Sequence, residues 1–152
     1  MRKLLFLNPA QRFGDFALLV LRVLVGLFLI WGVWDNVTSA ARMAEFADFL
    51  AKHKFPQPKL LAPLSVYVQL ATGIGFVLGL FTRWAGILCV INFMVAIVMV
   101  DRFNGPRGVF DSVCLVAIGL YLATHGAGRL SLDAVVGAND LPRANGGVRL
   151  RK

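Results

Sequence analysis

The sequence predicts an all-α, polytopic membrane protein: a four-transmembrane-helix bundle with a short amphipathic helix outside the bilayer. Two observations carry that prediction. Four apolar runs, approximately Phe16–Trp34, Leu61–Leu80, Trp84–Val100 and Val109–Thr124, come close to a membrane-spanning length. A hydrocarbon core about 30 Å thick needs about 20 helical residues rising about 1.5 Å each. Hydrophobic residues make up 58% of the chain and charged residues only 16%, against about a quarter charged in a soluble domain. Buried soluble helices of this length usually keep a polar face, which these runs lack. In a chain of 152 residues, four spans leave no room for a second domain, so a single membrane domain is expected.

The first run contains one full charge, Arg22, near its middle. Ser39-Ala40-Ala41 has the small residues of a signal-cleavage site, but the run before it is too long for a signal core and Arg22 interrupts it. A retained first transmembrane helix is therefore expected. From Ser39 to Phe55, apolar Met43, Phe46, Phe49 or Leu50, and Phe55 recur at helical spacing among Arg42, Glu45, Asp48 and Lys52. This pattern predicts an amphipathic surface helix ended by Pro56 and Pro58, a cap over the bundle in preference to a lid. In the second run Gly75 and Gly79 form a G-x-x-x-G, and the third and fourth runs carry Ala85, Cys89, Asn92, Ala96 and Gly119, Ala123. Small residues at this spacing let helices approach closely in lipid and favour a compact bundle. They leave open whether a homo-oligomer also uses them. After Asp133 the turn residues near Asn139–Pro142 and Asn145–Gly147, then Arg149, Arg151 and Lys152, predict a mobile basic tail over about 134–152.

The net charge of +8 marks topology, because no helix carries a basic stripe that would suit nucleic acid. Nine Lys and Arg residues (Arg2, Lys3, Arg12, Arg83, Arg129, Arg143, Arg149, Arg151 and Lys152) fall on one side of the spans. Six, Arg42, Lys52, Lys54, Lys59, Arg102 and Arg107, fall on the other. The positive-inside rule places both termini in the cytoplasm.

With the helices alternating in direction, Arg22 lies roughly 9 Å, Asn92 roughly 12 Å and Gln69 roughly 16 Å from the cytoplasmic end. Three polar side chains from three helices are thus expected in one central layer. An intramembrane Arg costs about 2.5–3.5 kcal/mol on insertion scales and must find acceptors. No Asp or Glu occurs in the central part of any run. Arg22, Gln69 and Asn92 are therefore candidates either for a ligand site or for a hydrogen-bonded clasp between helices. Asp35, Asp101 and Asp111 gather at the outer ends and are candidates for organising an outer mouth, with Asp35 and Asp111 capping helices or pairing with Arg102, Arg107 or the outer lysines. Only His53 and His125 are present, at opposite ends, so no metal site is expected. Cys89 and Cys114 differ in depth by about 7 Å and form no C-x-x-C, so free thiols are expected. No catalytic triad, nucleotide loop or carboxylate pair appears, and catalysis by this chain alone is unsupported.

Three segments resemble the DoxX family of membrane proteins, over about residues 15–133. They are Leu21-Arg22-Val23-Leu24-Val25-Gly26-Leu27-Phe28; Gln69-Leu70-Ala71-Thr72-Gly73 with Gly79-Leu80-Phe81-Thr82-Arg83; and Gly126-Ala127-Gly128-Arg129-Leu130-Ser131-Leu132-Asp133. The last is similar to the family's Gly-x-Gly-x-x-Ser-Leu-Asp ending. Many relatives carry Glu where Gln69 stands, so a proton-carrying group of the family is missing here. The resemblance implies a four-helix bundle in a bacterial inner membrane. Some members resemble subunits of thiosulfate:quinone oxidoreductase, which implies an accessory subunit beside a redox partner protein, with a quinone or small anion near Arg22. The contrasting expectation is a noncatalytic scaffold or a small-solute permeation protein.

Overall fold

The computed structural model describes residues 13–103 and 105–140. The described residues form helices joined by short non-helical segments, and four of the helices are long and apolar enough to cross a bilayer. They are α1 (Gly14–Thr38), α3 (Pro58–Leu78), α4 (Thr82–Met99) and α5 (Gly105–His125). Helix α2 (Ala40–Lys52) links α1 to α3, a 3-10 turn (Asp101–Phe103) links α4 to α5, and α6 (Leu132–Asp140) follows α5.

Each boundary has a local cause. α1 stops at Ser39, whose extended backbone turns the chain and whose hydroxyl accepts from the Arg42 N–H, an N-cap for α2. α3 begins at Pro58, three residues earlier than the apolar run suggests, because proline fits the first helical position, where its missing N–H costs nothing. Pro58 was expected to end α2; it starts α3 instead. Gly79, with φ +65°, ends α3 in the left-handed region, and the Leu80 N–H donates to the Gly75 carbonyl at 3.0 Å.

Small residues govern the packing, but not the pair the sequence singled out. α1 crosses α3 at Gly26 and Gly73, where a Cβ on Gly26 would stand 2.6 Å from the Gly73 carbonyl oxygen. α4 crosses α5 at Gly86 and Gly119, where a Cβ on Gly86 would stand 2.6 Å from the Gly119 oxygen and 2.7 Å from the Ala123 nitrogen. The expected contribution of Gly119 and Ala123 is thus observed. The Gly75–Gly79 motif serves the α3–α4 turn instead: Gly75 meets Ala85 and the Leu80 carbonyl, and Gly79 faces Arg22. The helices share a core of Leu18, Leu29, Phe76, Ala85, Cys89, Leu115 and Leu122, against which Val25, Phe93 and Ile118 pack.

Large apolar side chains cover the outside. Trp31 is 78% and Trp84 68% exposed, and Leu24, Phe28, Tyr67 and Ile91 also point outward. An apolar surface this extensive calls for lipid as its solvent. Cys89 is buried and donates to the Leu115 carbonyl at 3.7 Å, Cys114 is half-buried, and both are free thiols. α6 occupies part of the stretch read as a tail from residue 134. The terminal charges used for topology, Arg2, Lys3 and Arg12 and then Arg143, Arg149, Arg151 and Lys152, lie outside the described residues, as does the rest of the tail.

Candidate functional site: a cavity beneath the amphipathic helix

α1 buries a single face made by Leu18, Arg22, Gly26, Leu29 and Val33, the three- and four-residue spacing of a packed helix. Two different polar features sit along it. The carbonyl of Leu29 accepts from Gln69 Nε2 at 3.2 Å, beside Gly32, whose missing side chain leaves room for the amide. Gln69 Oε1 accepts from Asn92 Nδ2 at 3.4 Å, and Asn92 Oδ1 accepts from the Ser65 hydroxyl at 2.8 Å. This chain of bonds has a direction. The Leu29 carbonyl can only accept, so Gln69 must present its N–H₂ there and its oxygen to Asn92, which in turn presents its oxygen to Ser65. Among the described residues each amide then uses one of its two N–H donors.

Ser65, Gln69 and Asn92 line a cavity of about 900 Å³ between α3 and α4, roofed by Phe46, Phe49 and Leu50 of α2 and by Phe55. Apart from these three and Asp101, the described residues of its walls are apolar. An apolar chamber with a few convergent polar groups is the usual form of a small-molecule site. The amphipathic helix, read from the sequence as a cap, forms the wall of this cavity. Its start is tied down by the Asn36 side chain, which donates to the Arg42 carbonyl at 3.1 Å, and by Arg42, which pairs with Glu45 at 3.0 Å and Asp35 at 3.8 Å. The hydrogen bond and charge of Glu45, then the charge of Asp35, raise the Arg42 pKa. At its other end Lys54 and Gln57 both hold positive φ, 61° and 47°, a costly conformation for residues with a Cβ.

Arg22 belongs to a separate assembly. It is 1% exposed and donates from Nη1 to the Ala127 carbonyl at 2.9 Å and from Nη2 to the Leu130 carbonyl at 2.8 Å. Its Nε has no partner among the described residues, and neither do the buried hydroxyls of Thr72 and Thr82. Leu29, which receives Gln69, is seven residues further along α1, about 10 Å at the helical rise. The expected central layer therefore splits: Gln69 and Asn92 meet, and Arg22 does not join them. The counted depths of Arg22 and Gln69 already differ by about 7 Å, too far for contact, and Arg22 finds its acceptors in the Gly126–Ser131 segment instead.

Asp133 completes that end. Its carboxylate accepts from the Phe81 and Thr82 N–H groups at 2.7 and 2.9 Å, and its own N–H donates to the Gly79 carbonyl at 2.8 Å. α4 has no side-chain cap of its own, so Asp133 supplies one from some fifty residues away, with its charge at the positive end of the helix. Asp15 likewise accepts from the Arg129 N–H at 3.1 Å, and Ser131 bonds the Gly128 carbonyl at 2.7 Å. Together Arg22, Asp133 and Asp15 fasten the Gly126–Asp133 segment across α1 and the α3–α4 turn.

The three outer aspartates separate. Asp35 pairs with Arg42 rather than with Arg102, Arg107 or a lysine. Asp101 lines the cavity and accepts from the Ser112 hydroxyl. Asp111 is exposed, and among the described residues it forms no ion pair. Sequence reasoning missed Ser65, Asp15, the capping role of Asp133 and the Gly26–Gly73 crossing. Ser65 stands four residues before Gln69, so both fall on one helix face, a signal that was available.

The DoxX family's sequence profile matches residues 17–102. That range contains Arg22, Asp35, Gln69, Asn92 and Asp101 and stops before α5 and the Gly126–Asp133 segment. Neither the curated proteins nor the solved structures compared with the chain include a match. The match spans more than half of the chain, and with four bilayer-length apolar helices it makes this a multi-pass membrane protein of the DoxX family.

Proposed function

We propose that this protein is an accessory membrane subunit of a quinone-linked redox system in a bacterial inner membrane. A quinone-type ligand would sit in the cavity between α3 and α4. The reading rests on one observation above all: a polar relay on the wall of an apolar chamber, whose bonds leave an N–H donor on Gln69 and another on Asn92. Spare donors in an apolar site favour a ligand that accepts, such as a quinone carbonyl. Gln69 and Asn92 are the ligand-binding residues on this reading, and Ser65 orients Asn92. Arg22 is assigned to the clasp, because both of its terminal nitrogens already bond carbonyls. The redox partner is a separate protein subunit, since no catalytic constellation is apparent in this chain.

Thermal unfolding of detergent-solubilised protein against a panel of short-chain quinones tests the proposal. Wild type should be stabilised by at least one quinone, and Asn92→Leu and Gln69→Leu should lose that stabilisation while remaining folded. A wild type that no quinone shifts, together with no quinone co-purifying from native membranes, would leave the noncatalytic scaffold. That second reading is favoured by the relay's being bonded internally from Ser65 to Leu29.

Both termini are proposed to face the cytoplasm and α2 the outside, on the count of nine basic residues against six. Single cysteines at Ser39 and Asn145, placed in a background lacking the two natural thiols, should differ in intact spheroplasts. An impermeant maleimide should label only the first; labelling of residue 145 alone would reverse the orientation.

A further inference from the structure

We propose that the same cavity binds lipophilic cations, with Asp101 as the anionic anchor at its α2 end. This does not rest on the quinone reading, because it uses a different residue and a different charge. Among the described residues lining the cavity, Asp101 is the one ionisable side chain. It is half-buried, and Ser112 donates to one of its oxygens. Among the described residues no cation is paired with it. The neighbouring Arg102 lies over the Phe103 ring, 4.6 Å from its centroid, and Arg42 is engaged by Asp35 and Glu45. A carboxylate without a counter-ion at the edge of an apolar chamber favours a positive guest.

The rest of the wall decides what kind of positive guest. Phe46, Phe49, Phe55 and Phe93 present four aromatic rings, whose faces attract cations. Val95, Met99 and their neighbours supply apolar surface. A small hydrated cation would lose its water here without replacement. A cation with its charge spread over a bulky apolar body loses little hydration and gains the wall contacts, and a volume of about 900 Å³ accommodates it. An anion of the same shape would meet Asp101 and be repelled. Asn92 is nine residues from Asp101, about 13 Å at the helical rise, so the cation needs neither amide.

Tetraphenylphosphonium and tetraphenylborate have nearly the same shape and opposite charge, which makes them direct probes. The full chain is placed in nanodiscs of uncharged lipid, and binding is measured by equilibrium dialysis against empty nanodiscs. Saturable binding of tetraphenylphosphonium is expected, with no saturable binding of tetraphenylborate. Asp101→Asn, which can still accept from Ser112, should weaken the cation about tenfold or more, the scale of losing one charge contact in a partly dry site. Asp101→Glu should retain binding, and Gly14→Ala, outside the cavity lining, should leave it unchanged. No saturable cation binding, equal binding of the two probes, or equal cation affinity in a folded Asp101→Asn would overturn the proposal. The paired probes test the claim on the unaltered protein, whatever the stability of the variants. Loss of quinone stabilisation in Asn92→Leu with cation binding intact would separate this site from the one proposed above.

Discussion

Arg22→Gln is expected to destabilise the bundle by about 2–4 kcal/mol, on the scale of two lost hydrogen bonds from a charged donor, reduced because membrane reference states also find partners. The shorter glutamine cannot reach the Ala127 and Leu130 carbonyls together, so two acceptors would be stranded where Arg22 now serves them at 2.9 and 2.8 Å. The loss should not be uniform over the molecule. The Gly126–Asp133 segment is held by Arg22, by Asp133 on the start of α4 and by Asp15 on Arg129, so weakening one tie should loosen that segment first. Trypsin cleavage after Arg129 in detergent should therefore accelerate before the transmembrane helices unfold. Arg22→Lys keeps the charge but not the fork that reaches two carbonyls, and should fall between wild type and Gln. The clasp is refuted if Arg22→Gln unfolds at the wild-type temperature with wild-type proteolysis. Quinone stabilisation that survives in Arg22→Gln, measured below its own midpoint, would confirm that the ligand does not depend on this guanidinium.

The second large effect is expected at the helix crossings. A Cβ on Gly26 would lie 2.6 Å from the Gly73 oxygen and 2.8 Å from Val77 Cγ2. One obstacle is backbone, which cannot turn aside, so α1 and α3 would have to separate by roughly 0.8 Å to restore ordinary contact. Between helices in lipid no hydrophobic gain compensates for lost packing. Gly26→Ala should cost about 1–3 kcal/mol, as overpacked sites do, and Gly26→Val more. Gly86→Ala on the α4–α5 crossing should cost about the same, and the two should add, because they lie on different helix pairs. Gly14→Ala is the control: a Cβ there meets nothing within 4 Å. Unfolding in a mixed-micelle denaturant titration measures all of them. Equal midpoints for Gly14→Ala and Gly26→Ala would show that the crossings tolerate a methyl group and that the bundle is looser than these contacts imply.

Legibility differed from residue to residue for physical reasons. The Gln69–Asn92 pairing was readable because both sit inside uninterrupted helices, where depth follows residue count. The partners of Arg22 are beyond the same arithmetic. They lie in a non-helical segment that re-enters the bundle, and no count along a helix locates such a segment. The sequence shows Asp133 in a motif but not its role, since its partners, the N–H groups of Phe81 and Thr82, carry no side-chain signal. Gly75 and Gly79 read as a packing motif on spacing alone. Spacing does not distinguish a helix-crossing glycine from one that ends a helix in the left-handed region, as Gly79 does.

What the amino-acid order determined unaided is the solvent and the architecture it imposes. Four apolar runs must lie in hydrocarbon, and there every backbone group must be bonded within a helix. The face of α2 was equally legible, because amphipathicity is a local periodicity. The tertiary structure alone decided which glycines touch, which carbonyls receive Arg22, and that Gln69, Asn92, Ser65 and Asp101 share one cavity. Those outcomes depend on how far each helix is rotated and slid against its neighbours. In lipid that is settled by the sum of many weak packing contacts, which no short stretch of sequence records.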